Sequence, residues 1–130
     1  MRRYLLDTHA VLWFWWDLPQ LSARAKAAIM EPTNQKLVSP ATPWEVAIKV
    51  SLGKIDIGGP FLGFFSQNMV RSCFEWIAVR DEHHAKVAEL PFHHRDPFDR
   101  LLVAQALVED ITLISADGHF DAYGITRIWN

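Results

Sequence analysis

Four short runs constrain what this chain can fold into: Tyr4-Leu5-Leu6, Lys36-Leu37-Val38-Ser39, Trp76-Ile77-Ala78-Val79 and Thr112-Leu113-Ile114-Ser115. Each is short and mostly apolar, without the in–out alternation of a strand that has one wet face. Strands of that kind are buried on both sides. Thr126-Arg127-Ile128-Trp129 is a fifth, weaker candidate. Segments with helical character separate the runs, so strands and helices alternate. The pattern predicts an α/β domain of three layers, α/β/α, with a mainly parallel central sheet covered by helices on both faces.

The intervening segments carry their own punctuation. Ala10 to Trp16 is apolar and helical, ending near Pro19. Ser22 suits the N-cap of an Ala-rich helix over Ala23 to Met30, before Pro32. A further helix opens at Ala41 or Thr42 and runs through Leu52, with Gly53 as its stop. Gly58-Gly59-Pro60 reads as a turn, Phe61 to Arg71 as a helix, and Asp81 as the cap of Glu82 to Leu90. Asp96 is a good N-cap and Pro97 fits the first helical position. From Leu101 to Val108 that last helix is apolar on nearly every side, which predicts burial. Asp99 therefore enters a buried helix at its mouth, and a carboxylate there needs a partner. His119 to Tyr123 reads as a short helical turn.

The 130 residues predict one domain, 1–130, large enough for a real core, and half of them are apolar. The net charge of −2 excludes an indiscriminate nucleic-acid binder but not an enzyme that grips a nucleic acid locally. The lone Cys73 allows no intrachain disulfide, so a reducing, cytoplasmic setting is expected. Arg2 and Arg3 precede apolar residues, but Asp7 and His9 interrupt the run and no cleavage site comes after it, which argues against a signal peptide. No stretch approaches the roughly 20 apolar residues of a membrane span.

In an open parallel sheet, sites form beyond the carboxyl ends of the strands. Asp7 ends the first strand and Asp117 lies just past the fourth. Glu45 falls in the first turns of the helix after the second strand, and Asp99 at the mouth of its own helix. Four acids from distant segments thus converge on one edge. Clustered carboxylates repel one another, and a hard divalent cation such as Mg²⁺ or Mn²⁺ relieves this. Each acid also has a plainer reading. Asp96 is a cap, Asp99 serves the helix dipole, Glu45 pairs with Lys49 four residues on, and Asp117 before Gly118 is a turn residue. Arg95 and Arg100 flank the acids and are expected to pair with them rather than to grip a phosphate group. The histidine pairs His83-His84 and His93-His94 lack zinc-site spacing and are expected at the surface. His9 and His94 lie near the site segments. Trp13, Phe14, Trp15 and Trp16 cannot all face inward on one helix, so part of this run is expected to be exposed or covered by a partner.

Taken together, Leu5-Leu6-Asp7-Thr8-His9-Ala10, Trp44-Glu45-Val46-Ala47-Ile48-Lys49 with Gly53-Lys54-Ile55, Asp96-Pro97-Phe98-Asp99-Arg100-Leu101-Leu102, and Ser115-Ala116-Asp117 with Phe120 resemble a PIN domain, specifically a VapC-type toxin of a toxin–antitoxin pair. The blocks run from the first strand nearly to the end. The family more often carries Thr at the position of Ser115. The resemblance implies a Mg²⁺-dependent endoribonuclease, with Mn²⁺ able to substitute, that cuts RNA with metal-activated water to leave a 5′-phosphate and a 3′-hydroxyl. It implies that Asp7, Glu45, Asp99 and Asp117 hold the metal and carry catalysis, supported by Asp96, Thr8 and Ser115. It further implies a cognate antitoxin partner, bound by the Trp-rich helix and the Leu18 to Ile29 region, and a homodimer. Two other readings compete. One is an Asp-based phosphotransfer enzyme, disfavoured because Asp7-Thr8-His9 lacks a second acid two positions on. The other is a non-catalytic α/β binding domain whose acids are only caps and ion pairs.

Overall fold

Leu5 and Leu6 are both fully buried although they are neighbours on one strand. Successive strand residues point to opposite faces, so the sheet has a core on each side. The computed structural model describes residues 2–130. In chain order it runs β1 (Arg3–Leu6), α1 (Thr8–Trp15), α2 (Ala23–Met30), β2 (Gln35–Val38), α3 (Ala41–Ser51), α4 (Phe64–Ser72), β3 (Glu75–Trp76), α5 (Asp81–Glu89), α6 (Pro97–Glu109), β4 (Thr112–Ile114), a 3₁₀ segment (Gly118–Tyr123) and β5 (Arg127–Ile128). The five strands form one sheet in the order β3-β2-β1-β4-β5, and every pairing is parallel. This is the three-layer α/β/α arrangement that the uniformly apolar strands predict.

The two cores arise from strand alternation. Leu6, Val38 and Ile114 face one side, packed with Val11 and Leu12 of α1, Ile29 of α2, and Phe65 and Met69 of α4. Leu5, Leu37 and Leu113 face the other, against Leu102, Val103 and Ala106 of α6 and Phe120. Burying a side chain of this size contributes about 1.5–3 kcal/mol, so a slip of one residue in β1 would reverse both faces.

The predicted punctuation holds at most helix ends. Asp96 caps α6, accepting from the amides of Phe98 (2.8 Å) and Asp99 (3.2 Å), with Pro97 in the first turn. Ser22 caps α2, and Gly53 takes a positive φ of 72° just past α3. Three boundaries differ. The helix expected from Phe61 begins at Phe64, because Gly63 turns the backbone left-handed (φ 86°) immediately before it. The third strand is only Glu75–Trp76. Its ladder ends with the Ile77 amide on the Val38 carbonyl, where β2 itself leaves the sheet. Arg80 rather than Asp81 precedes α5, and its amide donates to His83 Nδ1 at 2.9 Å.

One surface expectation is corrected. His83 is wholly buried, held between the Arg80 amide and Glu109 (3.2 Å). The Trp13–Trp16 run is half-buried, and its partly exposed Phe14 and Trp15 line a groove with Ile29 and Met30. Trp13 packs on Trp129, and Trp15 sits against Phe64, Phe65 and Phe74 with its indole N–H on Ser72. The exposed large apolar residues lie elsewhere. Trp44 (65 % exposed), Ile48 and Leu52 (63 %) recur every fourth residue along α3 and its end, and so form one stripe. Among the described residues, no helix is long and apolar enough to cross a membrane.

Candidate active site

The carboxyl edge of the sheet opens into a cleft of about 510 Å³. Asp7, Glu45, Asp96, Asp99 and Asp117 all line it, with Thr8, His9, Lys49 and His94. The local chain path explains why. Asp7 lies between β1 and α1 and caps α1, accepting from the Ala10 amide at 2.8 Å. Asp117 caps the 3₁₀ segment after β4 through the His119 amide at 3.2 Å. The capping roles suggested by the plainer readings are therefore real for Asp7, Asp96 and Asp117. They do not compete with a site, because capping is what fixes each carboxylate at the edge.

The remaining polar residues hold these acids in place. The Thr8 hydroxyl donates to Glu45 Oε1 at 2.6 Å, and Lys49 Nζ lies 2.7 Å from Oε2. Glu45 is only 5 % exposed, so its pairing with Lys49 ties a buried acid to a partly exposed cation at the cleft rim. Ser115 is fully buried; its hydroxyl bonds Asp7 and accepts from the Asp117 amide at 3.0 Å. Thr8 and Ser115 thus lock acids from α3, β1 and the β4 end to one another.

The cleft carries more negative charge than its surroundings accommodate. Burial raises the Asp7 carboxyl above the ordinary range, against the opposing hydrogen bond from Ser115. Asp99 is pushed up to about 7, first by burial and then by the charge of Asp96, with Glu45 and Asp7 adding and His119 opposing. Asp117 moves the other way. Burial works against its charged form, but the backbone and ring of His119 outweigh that and lower it. Lys49 is raised: burial opposes its charge, but the hydrogen bond and charge of Glu45, with Asp96 and Asp99, prevail.

Residues 4–125 match the PIN domain family. The chain belongs to the PIN-domain family. Solved structures share the PIN architecture over nearly the whole length. VapBC2 from Rickettsia felis, bound to a DNA fragment from its promoter, superposes with a TM-score of 0.70 at 15 % identity, covering 98 % of this chain and 99 % of that one. VapBC-1 from nontypeable Haemophilus influenzae gives 0.66 at 14 % identity, covering 97 % and 96 %. FitAcB from Neisseria gonorrhoeae gives 0.62 at 18 %, covering 98 % and 96 %. No curated protein matches this PIN domain by sequence. The four acids proposed from sequence all reach the cleft of this PIN domain.

Sequence reasoning placed two neighbours wrongly and missed a third. Among the described residues, neither Arg95 nor Arg100 pairs with an acid. Arg95 is exposed, while Arg100 turns inward to the carbonyls of Val87, Leu90 and Pro91 at the end of α5. His94 stands in the cleft, with Nδ1 3.9 Å from Asp99 Oδ2. His119, which the sequence suggested only as part of a helical turn, lies between Asp99 and Asp117 at 3.3 and 2.5 Å. Its position two residues after Asp117, at a helix start, is the local signal that a ring there can fold back on that acid.

Proposed function

We propose that this PIN domain is a VapC-type toxin, a metal-dependent endoribonuclease restrained by a cognate antitoxin. One observation carries the reading: four acids from β1, α3, α6 and the end of β4 face one cleft, with Asp7 and Glu45 nearly buried there. A purely structural role for so many acids at one edge leaves their mutual repulsion unexplained. The donor set consists of carboxylate oxygens, the ligands that hard Mg²⁺ or Mn²⁺ prefers. Asp7, Glu45, Asp99 and Asp117 would hold the ion, and Asp96 supports Asp99 through the α6 cap. A divalent ion bound here supplies a more acidic water and neutralises charge gathering on a phosphodiester. The chain's own residues fix that chemistry in space. Thr8 and Ser115 set the carboxylates, and Lys49 at the rim offers a cation to RNA phosphate. The end products are a 5′-phosphate and a 3′-hydroxyl.

Two surfaces suit the partners. A groove of about 610 Å³ between α1–α2 and α4 is lined by Phe14, Trp15, Ile29, Met30 and Arg71, and we assign the antitoxin to it. The α3 stripe of Trp44, Ile48 and Leu52 is assigned to a homodimer contact. The antitoxin assignment extends to this chain the VapBC assemblies among its structural neighbours.

The test is cleavage of a panel of structured RNAs by antitoxin-free protein, with Mg²⁺ or Mn²⁺ and with EDTA, beside Asp7→Asn. Metal-dependent cutting that the variant reduces by about a hundredfold or more is expected, since removing one group aimed at developing charge costs roughly that much. An Asp7→Asn protein that folds normally and cuts at the wild-type rate sinks the assignment. Absence of both cutting and Mn²⁺-dependent stabilisation leaves the non-catalytic binding domain as the better reading.

A further inference from the structure

His119 bridges two of the cleft acids in a way that carboxylate chemistry alone does not explain. Its Nδ1 is 2.5 Å from Asp117 Oδ1 and its Nε2 is 3.3 Å from Asp99 Oδ2. A neutral imidazole has one N–H and one lone pair. With a carboxylate oxygen so close, the proton belongs on Nδ1, which leaves the lone pair on Nε2. That atom is buried and has no hydrogen-bond partner. It faces the Asp99 carboxylate, itself a lone-pair donor, and two such donors repel unless a proton or a metal cation lies between them.

A third donor stands beside this pair. The His94 ring stacks on His119, with centroids 3.9 Å apart and 15° between planes. One donor atom each from His94, Asp99 and His119 lie within 4.8 Å of one another. Ligands about 2.0–2.2 Å from a shared ion stand roughly 3.3–3.6 Å apart in a tetrahedral set, so His119 Nε2 and Asp99 Oδ2 at 3.3 Å already fit and His94 Nδ1, 3.9 Å from the same oxygen, needs only a small shift. Asp117 completes a known device, a carboxylate that holds the far nitrogen of a metal-bound histidine and fixes its tautomer.

We infer that His119 Nε2, together with Asp99 and with His94 as third donor, forms a nitrogen-containing cation position in the cleft that favours a divalent transition ion over Mg²⁺. The inference rests on the acid cleft being a metal centre and adds the residues that select the ion. Imidazole nitrogen suits first-row transition ions and zinc, whereas Mg²⁺ keeps to oxygen and water. The three donors are not equal. His94 Nδ1 also accepts the Asp96 amide at 3.1 Å, so ligation by His94 gives up that bond. His119 Nε2 gives up nothing.

The test uses the full chain stripped of metal and titrated with Co²⁺, monitored by its visible absorption, and with Mg²⁺, monitored by thermal shift. Wild type is compared with His119→Gln, His94→Gln and Asp7→Asn. Loss of about tenfold or more in Co²⁺ affinity in His119→Gln is expected, with a smaller loss in His94→Gln and Mg²⁺ binding nearly unchanged in both. Equal Co²⁺ affinity in His119→Gln and wild type overturns the inference and leaves the acid cleft intact, with His119 as an ion-pair partner. Failure of wild type to bind any divalent ion overturns both readings. A measurement on wild type alone covers a variant that does not fold. Zn²⁺ titration monitored by imidazole ¹⁵N shifts should move His119 Nε2, and an unmoved resonance overturns the assignment.

Discussion

Asp99 occupies its cleft as an anion that the surroundings resist, and this has a measurable sign. Its carboxyl is raised from 3.8 to about 7 in the folded, metal-free protein. Between those two values the folded state holds more protons than the unfolded one, so stability falls as pH rises through the window. Stabilisation by the protonated form is fully present below 3.8 and is gone above about 7. Asp7, raised by burial, acts in the same direction. In EDTA, the melting temperature should therefore fall from pH 5 to 7.5. Asp99→Asn should flatten that slope and raise stability at pH 7.5 by on the order of 1–3 kcal/mol. Mn²⁺ should flatten it in wild type but not in the variant. An unchanged slope in Asp99→Asn would remove Asp99 as its source. At this scale the sequence was informative about charge and silent about orientation. Asp7, Glu45, Asp99 and Asp117 could be proposed because a sheet edge gathers the residues just past the ends of its strands. The fold-back of His119 depends on the 3₁₀ turn after Asp117, which no spacing rule specifies.

Helix α6 is held at its start by two unlike devices. Asp96 caps its own first turn, while Arg100, only 5 % exposed, reaches across to cap the end of α5. Its guanidinium donates to Val87, Leu90 and Pro91 carbonyls and lies over the Phe92 ring at 4.1 Å. Arg100→Met should cost about 3 kcal/mol in urea unfolding, because buried carbonyls lose their donor. It should leave Mn²⁺-dependent stabilisation in place, since Arg100 touches none of the cleft acids. Loss of metal binding without loss of stability would contradict this structural role. The same residue shows where sequence reasoning stops. An Arg beside acids is read as their partner, yet on α6 it comes one position after Asp99 and so points about 100° away. His83 was misplaced for a related reason, since its burial comes from α5 packing on α6 near Glu109. The helices themselves were legible, because Ser22, Gly53 and Asp96 act through purely local bonds. The third strand was overestimated, because strand length depends on the neighbour, and β2 leaves after Val38.

Across the whole molecule, two apolar surfaces far apart in the sequence bear on partners, the α3 stripe and the α1–α4 groove. Ile48→Glu, in the middle of the α3 stripe, should shift a dimer to monomer in sedimentation equilibrium. An unchanged mass would place any contact elsewhere. Met30, 61 % exposed beside the α1–α4 groove, can be changed with little effect on the core. Met30→Glu should weaken antitoxin capture about tenfold, as expected for an interface anchor costing more than 1 kcal/mol, with no change in melting temperature. Trp15 is a poorer probe, because its packing on Phe65 and its bond to Ser72 make it part of the fold. The α/β/α layering was legible because it depends on what the strands cannot expose. Which apolar residues remained outside was not, since Trp13 and Trp15 found partners near the far end of the chain and on α4.

The sheet order has a consequence for the timing of synthesis. β1 sits at the centre, between β2, which is made soon after it, and β4, which is among the last segments made. Asp7 is bonded to Ser115, and Asp99 faces His119. A nascent chain halted before β4 therefore holds its first acid without the residues that fix it. The cleft closes only when the final strands insert beside the first. On the toxin reading proposed above, a chain without β4 has no complete cleft, so cleavage and the need for a restraining partner arise together once the segment from Thr112 to Ile128 is in place.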